Sequence, residues 1–548
     1  MSAHKIIPPN HLFYGDNLKI MQRMNKYSVD LIYLDPPFNS KQNYNLIYKN
    51  MTGLPVPDQA EAFCDTWEMD PEKEELARVM PVLMREHGIE DYYVEFWRLW
   101  INALRHTQPH LLAYLIYMVQ RLIYMKSILR PTGSIFLHCD PTASHYIKVM
   151  MDGIFGHKNF RNEIIWKRRY GSSSSVHKSH KFGAVTDTIL FYAMSDESVF
   201  NPQYSFLDPQ YLEYVERTFK HVDEQGRRYR IADLANPADR PNLKYEYKGY
   251  KPPVNGWAIS KEKMEQWDKE GRLHFPKSKD GRIQRRRFHD ELKGKPVQSL
   301  WDDIDMISSQ SNERLGYPTQ KPIELLDRII KATTNKGQIV FDPFCGCGTT
   351  IYSAVKNERQ WIGCDIAILA IKLIREILTG EQYRLVEGVH FDVNGIPVSV
   401  EQAEELFKRD PFQFEHWLVE RVGGFPTKKT GDKGIDGRIY FEVDKGKKLT
   451  AMVLSVKGGK LRPTDVRDLI GVLEHEPETE MAGFLSLQEP SKGMREAASK
   501  AGQYTYNGVK YDRVQFLTVK QILEEKREFS TPTKVGTRIA TGQGSLPL

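Results

Sequence analysis

Apolar positions along the first third of the chain alternate between the period of a strand and that of a helix. Short apolar runs lie at Leu12–Tyr14 and at Val29–Leu34, and a polar helical stretch separates them. From Asp91 to Leu129 apolar and aromatic residues recur at helical spacing, and the breaker sequence 131–133 then precedes the strand-like segment Ser134–His138. This alternation predicts an α/β fold built on parallel strands.

A second set of alternating elements follows much later in the chain. The strand-like segments Gly337–Asp342 and Gln360–Asp365 enclose a helix from Thr349, which is the pattern of one βαβ unit. We therefore expect both regions to contribute strands to one sheet. Between them, from about residue 167 to residue 308, the alternation disappears and Arg, Lys, Tyr and Trp become frequent, which indicates an inserted basic module.

The last third of the chain has an α/β pattern of its own. A helix-like segment at 412–422 precedes strand-like segments at 437–443 and 451–457 and a helical segment at 465–475. The tail is rich in Ser, Thr, Gly and Pro and has little apolar surface to bury. We predict three parts, which are residues 1–390 with the insertion at 167–308, a second α/β domain at 391–528, and a flexible tail at 529–548.

Composition places the chain among globular proteins. Its 548 residues are too many for one ordinary core, and contents of 40% hydrophobic and 27% charged residues are typical of folded domains. The most apolar run, Leu111–Val119, is too short to cross a bilayer, and the first residues lack the apolar core of a secretory signal. The cysteines lack paired CxxC spacing, so we expect reduced thiols and a cytoplasmic protein.

The segment FDPFCGCGTT, residues 341–350, combines an acid and two glycines where a strand turns into a helix. Gly346 and Gly348 allow the backbone to pass close to a ligand, as in nucleotide-binding turns. Asp365 ends the next predicted strand, where an acid commonly forms hydrogen bonds with ribose hydroxyls. The pattern indicates an adenosyl site, although a tight corner without a ligand would have the same local sequence.

The segment DPPF, residues 35–38, ends the second apolar run with a rigid turn that offers few donors. An aromatic amine delocalises its lone pair into the ring and is a poor nucleophile until acceptors bind its N–H groups. We predict that the Asp35 carboxylate and the Pro36 carbonyl accept those N–H groups, in a turn that Pro37 keeps rigid. Phe38 would then stack on a base extruded from the duplex. A plain strand-ending turn is the alternative.

Taken together, DPPF and FDPFCGCGTT resemble the amino-methyltransferase family that modifies adenine N6 or cytosine N4 in DNA. The order of these motifs, with a basic region between them, resembles the permuted β group of that family. The resemblance covers about residues 12–380 and implies a doubly wound, Rossmann-like sheet with S-adenosylmethionine as cofactor. It also implies base flipping and direct attack of the amine on the methyl group. In the family DPPF favours adenine N6, and cytosine N4 is the alternative.

Other segments resemble the same family. GDNLKIM, residues 15–21, implies that Asp16 lies near the cofactor adenine, and YPTQKP, residues 317–322, frames the methionine end. Two positions depart from the common pattern, since Cys347 replaces a Ser and Tyr317 replaces a His. Neither change removes a required group, and the Pro-Cys-Gln motif of cytosine-C5 enzymes is absent. The implied cofactor-binding residues are Asp16, Thr319, Gln320, Lys321, Phe341, Asp342, Phe344, Gly346, Gly348 and Asp365.

Basic residues concentrate in the region between the two motifs, where aromatic residues are interleaved with them. Such a mixture favours contact with the phosphates of double-stranded DNA, and the net charge of +6 permits it. A solvated basic surface is the alternative for any single residue. Neither the recognition sequence nor the oligomeric state, a homodimer included, follows from the sequence. The candidate DNA-binding residues are Lys167, Arg168, Arg169, Arg285, Arg286 and Arg287.

The segments GDKGIDGRIYF and LSVKGGK, between residues 431 and 460, resemble the Mrr-like branch of restriction endonucleases. The resemblance implies a site in which Asp436 binds Mg²⁺, Lys457 stabilises the transition state and Glu420 adds a carboxylate. Ser455 departs from the pattern, because it replaces a metal-coordinating Gln, Glu or Asp. The domain is therefore either an active nuclease or a degenerate fold kept for DNA binding or domain contact.

These motifs predict the methyltransferase of a bacterial or archaeal restriction-modification system. The alternatives are an inactive DNA-binding protein on the same folds and a methyltransferase that acts on RNA or on a protein amide. The interpretation requires DPPF and the glycine corner to lie at one edge of one sheet.

Overall fold

The computed structural model describes residues 7–37, 48–49, 67–139, 143–168, 185–206, 209–308, 311, 313–315, 317, 319–427, 434–443, 448–532 and 538–539. Phe38 and Arg169 lie outside the described residues, so the predictions made for them remain predictions. The helices are α1 Asn17–Met21, α2 Pro71–Glu86, α3 Asp91–Thr107, α4 Pro109–Ile128, α5 Ser144–Met151, α6 Pro209–Thr218, α7 Lys261–Lys269, α8 Ile323–Thr333, α9 Thr349–Lys356, α10 Ile368–Thr379, α11 Val400–Arg409, α12 Pro411–Arg421, α13 Pro463–His475, α14 Lys492–Ser499 and α15 Val519–Leu523.

The strands are β1 His11–Tyr14, β2 Val29–Leu34, β3 Tyr48–Lys49, β4 Leu129–Cys139, β5 Phe160–Lys167, β6 Thr186–Ala193, β7 Tyr204–Ser205, β8 His221–Val222, β9 Arg228–Ala232, β10 Leu273–His274, β11 Gln284–Phe288, β12 Lys295–Pro296, β13 Leu300–Trp301, β14 Ile339–Asp342, β15 Gln360–Asp365, β16 Asp392–Asn394, β17 Phe425–Pro426, β18 Gly437–Val443, β19 Lys448–Lys457, β20 Thr479–Ser486, β21 Gln503–Tyr506, β22 Val509–Asp512, β23 Val514–Thr518 and β24 Arg538–Ile539.

The largest sheet joins strands from both ends of the predicted methyltransferase region. In the described residues its order is β13-β5-β6-β4-β2-β14-β15-β1-β16. The strands from β4 to β16 pair in parallel, whereas β6 is antiparallel to both of its neighbours. Strand β2 is buried along its whole length, as its continuous apolar run predicts for a strand covered on both faces. The expected α/β fold, with one sheet shared by distant regions, is confirmed.

The long helical region before β4 differs in detail from the prediction. It is divided at Pro109, which begins α4, because proline is tolerated in the first turn of a helix but not in its interior. Strand β4 begins at Leu129 and includes the predicted breaker 131–133, where the pairing with β2 shifts register. Helix α4 is long and apolar enough to cross a membrane, but 72% of its apolar window is buried inside the protein.

The inserted region forms a compact unit that is shorter than expected. It runs from Pro202 to Gln298, inside the predicted limits of 167 and 308. The difference arises because Thr186–Ala193 adds strand β6 to the largest sheet. Within the unit, strands β10-β11-β9-β8 form an antiparallel sheet in the described residues, and a core around Trp257 stabilises it.

The C-terminal region has the separate sheet that its pattern predicts, with the order β17-β18-β19-β20-β23 in the described residues. It nevertheless belongs to the same compact unit as the largest sheet. Phe425 and Tyr440 from the C-terminal sheet share one apolar cluster with Leu369 and Leu373 of α10. The two α/β regions are therefore packed against each other through buried side chains.

The first residues of the predicted flexible tail, which begins at residue 529, contact the C-terminal sheet. Phe529 is buried, and its ring would block a side chain at Gly483. The backbone N–H of Ser530 donates to the Gln515 side chain at 2.8 Å, which extends the ordered region past the predicted boundary. The aromatic ring supplies the apolar surface that the polar composition of the tail concealed.

Candidate active site

The two motifs lie side by side at one edge of the largest sheet. Strands β2 and β14 are parallel neighbours, with Leu31 opposite Val340 and Ile32 opposite Phe341. Because parallel strands end at the same edge, Asp35 after β2 lies beside the glycine corner after β14. The geometry that the sequence interpretation requires is therefore present, at the edge where open α/β sheets bind their ligands.

The carboxylate of Asp35 has two different oxygens. The side chain is 15% exposed, and Oδ2 accepts a hydrogen bond from the ammonium group of Lys321. Oδ1 is buried and has no hydrogen-bond partner among the described residues. Pro36 and Pro37 follow it and are buried. Lys321 therefore fixes one oxygen of the carboxylate, and the other oxygen remains an unpaired acceptor among the described residues.

The glycine corner has a backbone that other residues would not adopt. Gly346 and Gly348 have φ angles of +48° and +87°, and a Cβ atom on Gly348 would lie 2.6 Å from Ile374 Cγ1. Asp365 holds the corner, since its carboxylate accepts from the N–H of Gly346 at 2.8 Å and from the N–H of Ala367 at 2.9 Å. The two glycines and Asp365 thus form one unit, as the motif predicts.

Two carboxylates at this edge of the sheet are buried, and a nearby positive charge would stabilise their ionised forms. Burial raises the pKa of Asp342 to about 7, and the nearby carboxylates of Asp35 and Asp365 raise it further. Hydrogen bonds from Thr350 and from the Phe344 N–H oppose this rise. Burial likewise raises the pKa of Asp365 to about 6. A ligand that carries cationic groups and ribose hydroxyls would relieve both effects, because it would supply charge and donors to desolvated acids.

Asp16 is held at the same edge by a residue that sequence reasoning missed. Arg121 donates from Nη2 to both oxygens of Asp16, at 2.9 and 3.0 Å, and from Nε to Asn17 at 2.8 Å. Asn17 in turn donates to the carbonyl of Pro343 in the glycine corner at 2.8 Å. The sequence did contain a signal for this contact, because Arg121 lies within an apolar helix and a buried charge needs a partner.

The residues of segment 319–321, which are predicted to frame the cofactor, make different contacts. Gln320 stabilises its own loop, because it donates to the Glu313 carbonyl at 2.6 Å and accepts from the Leu315 N–H at 2.8 Å. Lys321 contacts Asp35, whereas the carbonyl of Thr319 lies 3.4 Å from the Lys321 ammonium. Lys321 thus contacts the turn predicted to bind the amine, residues 35–38, as well as belonging to the predicted cofactor frame.

The cysteines of the corner do not have the properties of nucleophiles. Cys345 and Cys347 are buried. Burial raises the pKa of the Cys347 thiol to about 11 and that of Cys345 well above its usual range. Because the thiolate is the reactive form, a covalent mechanism of the cytosine-C5 type is disfavoured.

The predicted DNA-binding residues fall in two compact units. Lys167 ends strand β5 of the first unit and Arg168 follows it, whereas residues 285–287 lie on β11 of the inserted unit. Arg285 lies over the ring of Trp267, with 4.2 Å from its guanidinium carbon to the ring centre, and Arg287 is exposed. Stacked and exposed arginines on one short strand suit contact with a polyanion.

The C-terminal candidates are only partly brought together. Asp436 Oδ2 accepts from the Val456 N–H at 2.6 Å, so Asp436 lies beside the end of β19 that carries Lys457. Ser455 is buried in the same strand. The described residues include no group of three or more His, Cys, Asp or Glu side chains that could hold a metal ion. The described part of this sheet therefore supports no metal-dependent step.

The role of Glu420 at that site stays a prediction, and its carboxylate has neighbours in the methyltransferase region. The Glu420 carboxylate, near the end of α12, lies close to the Ile368 N–H, Lys372 and Asp365, and its Oε2 is buried without a hydrogen-bond partner among the described residues. Burial raises the pKa of Glu420 to about 8, and Lys372 and the Ile368 N–H only partly offset this. Helix α12 therefore contacts the largest sheet beside the glycine corner, and this follows from tertiary packing that no local motif reports.

Residues 29–376 match the family of N6/N4 DNA methylases. The chain belongs to this family. The methyltransferase is 26% identical over 373 residues to the type II methyltransferase M.EcaI of Enterobacter cloacae, covering 67% of this chain and 69% of that one. It is 27% identical over 380 residues to the StyLTI Mod subunit of a type III restriction-modification enzyme of Salmonella typhimurium, covering 65% of this chain and 52% of that subunit.

Two solved structures are also similar to the methyltransferase. The M1.HpyAVI complex with SAM has 14% identity and a TM-score of 0.29, covering 68% of this chain and 99% of that one. The cytosine-N4-specific PvuII DNA methyltransferase has 11% identity and a TM-score of 0.31, covering 69% of this chain and 95% of that one.

Proposed function

We propose that this methyltransferase moves a methyl group from S-adenosylmethionine to N6 of an adenine in double-stranded DNA. The observation that carries the proposal is the open Oδ1 acceptor of Asp35 beside the glycine corner. An acceptor in this place can hold an amine where a cofactor methyl group arrives.

The residues of the corner fit the cofactor. S-adenosylmethionine supplies an electrophilic methyl group on a cationic sulfur, together with an ammonium group and ribose hydroxyls. Asp342 would accept from the ammonium group and Asp365 from the ribose, which relieves the burial of both carboxylates. Gly346 and Gly348 leave room for the backbone to approach the ligand.

Asp35 and Pro36 would act on the base after it leaves the duplex. Each accepts one N–H of the amine, which localises the nitrogen lone pair and directs it toward the methyl group. As the new N–C bond forms, the S–C bond breaks, and the amine then loses one proton to water. Lys321 donates to Oδ2 and holds the carboxylate in place, so that Oδ1 is left to accept from the amine.

The acid in DPPF supports adenine, and cytosine N4 is the alternative. The test is incubation with methyl-labelled S-adenosylmethionine and duplex DNA, followed by nucleoside analysis. We expect label in N6-methyldeoxyadenosine. Label in N4-methyldeoxycytidine would replace adenine by cytosine, and label in RNA, in protein or in no acceptor would overturn the proposal.

The similarity to type II and type III enzymes supports a role as the modification component of a restriction-modification system. Such a component would work in the cytoplasm of a bacterial or archaeal cell. We expect genomic DNA from cells that express the protein to be methylated at one short sequence. Detection of modified bases by sequencing would define that sequence, and scattered or absent methylation would contradict the role.

For the C-terminal sheet we propose support of the methyltransferase rather than DNA cleavage. Lys19 of α1 contacts Asp410 at 2.7 Å, and Glu420 lies close to Ile368 and Lys372 of α10, so both ends of α12 meet the methyltransferase region. We expect unmethylated supercoiled plasmid to stay intact with the protein and Mg²⁺. Cleavage that disappears in Asp436→Ala would contradict this part of the proposal.

A further inference from the structure

A chain of three buried side chains runs beneath the amine-binding turn. Tyr33 lies two residues before Asp35, and its hydroxyl is 2.9 Å from His138 Nδ1. His138 Nε2 is 3.2 Å from Asp187 Oδ2. Exposures of 2%, 0% and 4% for these residues exclude water from the chain. It crosses the sheet from β2 through β4 to β6.

The ends of this chain are held by charge. Arg168 forms an ion pair with Asp187 at 3.3 Å. Although burial opposes it, the hydrogen bond from His138, with Arg168 and Lys321 nearby, lowers the pKa of Asp187. Asp187 is therefore an ionised acceptor within electrostatic range of Lys321, the residue that contacts Asp35.

Donor and acceptor roles follow from these contacts. Burial, with Asp35 and other acids nearby, raises the pKa of Tyr33 well above its usual range, so its hydroxyl keeps its proton. We assign this hydroxyl as the donor to His138 Nδ1 and the His138 Nε2–H as the donor to Asp187, as in other histidines whose tautomer is set by a carboxylate.

We propose that His138 is a positioning residue for methyl transfer. His138 contacts Tyr33, near the end of β2 and two residues before Asp35, and it also contacts the Asp187 carboxylate. Lys321, which contacts Asp35, is close enough to Asp187 to interact with it electrostatically. This inference rests on the proposed function, because it concerns the turn that holds the amine. Loss of the Tyr33–His138–Asp187 contacts should displace the Asp35 carboxylate and leave the cofactor site intact. Small displacements of reacting groups slow transfer strongly.

The test compares single-turnover methyl transfer in Tyr33→Phe, His138→Leu and His138→Asn. We expect Tyr33→Phe and His138→Leu each to slow transfer about tenfold, with cofactor Kd changed less than about twofold. Asn can place an acceptor near the Nδ1 position, so His138→Asn should be faster than His138→Leu. The double variant Tyr33→Phe/His138→Leu should be no slower than either single variant, since the residues act as one unit.

Tyr192→Phe is the matched control. Tyr192 is also buried in the sheet and donates to a carboxylate, Asp152, at 2.7 Å, but it is outside the chain. It should lose as much thermal stability as Tyr33→Phe and keep the wild-type transfer rate. Wild-type rates in Tyr33→Phe and His138→Leu would overturn the proposal, as would slowing that is matched by lost cofactor affinity and stability.

A second readout is independent of activity. Nitrogen-15 spectra of protein with labelled histidine, assigned through the signal lost in His138→Asn, should show the proton of His138 on Nε2. A proton on Nδ1 would contradict the proposed hydrogen bond from Tyr33 to His138, even if the enzyme is active. If the wild-type protein methylates no DNA, the proposed function fails, and the spectra still decide whether the chain exists.

Discussion

The ammonium group of Lys321 contacts the carboxylate of Asp35, although the two residues lie 286 positions apart in the chain. This contact joins the segment expected to frame the cofactor to the turn expected to bind the amine. It occupies Oδ2 and leaves Oδ1 as the buried acceptor. In the proposed function, this division would let one carboxylate be held in place and still accept a substrate N–H.

The first prediction concerns this acceptor. Asp35→Asn keeps the size of the side chain but removes its charge and its attraction for Lys321. We expect the single-turnover rate to fall about a hundredfold or more, because an acceptor for the developing charge is lost. Calorimetry should show nearly unchanged cofactor affinity. Asp305→Asn, at an exposed position, is the control, and equal rates in the two variants would refute the role of Asp35.

A second prediction separates the cofactor site from the amine site. Asp365→Asn weakens a charged acceptor that holds Gly346 and is expected to bind the ribose. Hydrogen bonds to charged groups contribute roughly 1.5–3 kcal/mol, so cofactor Kd should rise about ten- to hundredfold. Titration calorimetry measures this directly, with the exposed Asp468→Asn as control. Unchanged affinity would place the cofactor elsewhere.

The third prediction follows from the raised pKa of Glu420, about 8 against an ordinary value of 4.5. Between those values the folded protein keeps a proton that the unfolded chain has released. This contribution to stability is present at low pH and is lost as pH rises toward 8. Glu420→Gln removes it, so the variant should gain about 3 kcal/mol relative to wild type between pH 5 and pH 8.

Urea unfolding at several pH values measures that difference. Asp342 and Asp365 also have raised pKa values, so only the difference between wild type and variant reports on Glu420. Glu404→Gln, at an exposed position of the neighbouring helix α11, should show no such trend. A parallel pH dependence in wild type and Glu420→Gln would mean that the carboxylate is not buried against α10.

A fourth prediction tests the inserted unit as a DNA contact. Arg287 is exposed on β11, opposite Arg230 on the neighbouring strand. Arg287→Gln should weaken DNA binding similarly for all sequences and reduce the salt slope of the affinity by about one. Arg217→Gln removes the same charge from an exposed helix position of the same unit. Equal effects of both variants would indicate only a loss of net charge.

Several sequence expectations depended on local patterns and were correct for that reason. The apolar runs of β2 and β14 identify buried parallel strands, and the residues that follow them identify the amine turn and the glycine corner. The limits of elements were less certain. A register shift keeps the breaker sequence 131–133 within β4, and a single buried ring at Phe529 overrides a polar tail composition.

The sequence by itself determined the α/β class and the two motifs for which we propose a chemistry, because strand periodicity and turn residues act over a few positions. Only the tertiary structure decided which side chains face them. Lys321 meets Asp35, Arg121 holds Asp16, and Glu420 turns toward α10. Each pairing depends on the order of strands and the packing of helices. Those are set by burial of apolar surface over the whole chain, and no local spacing records them.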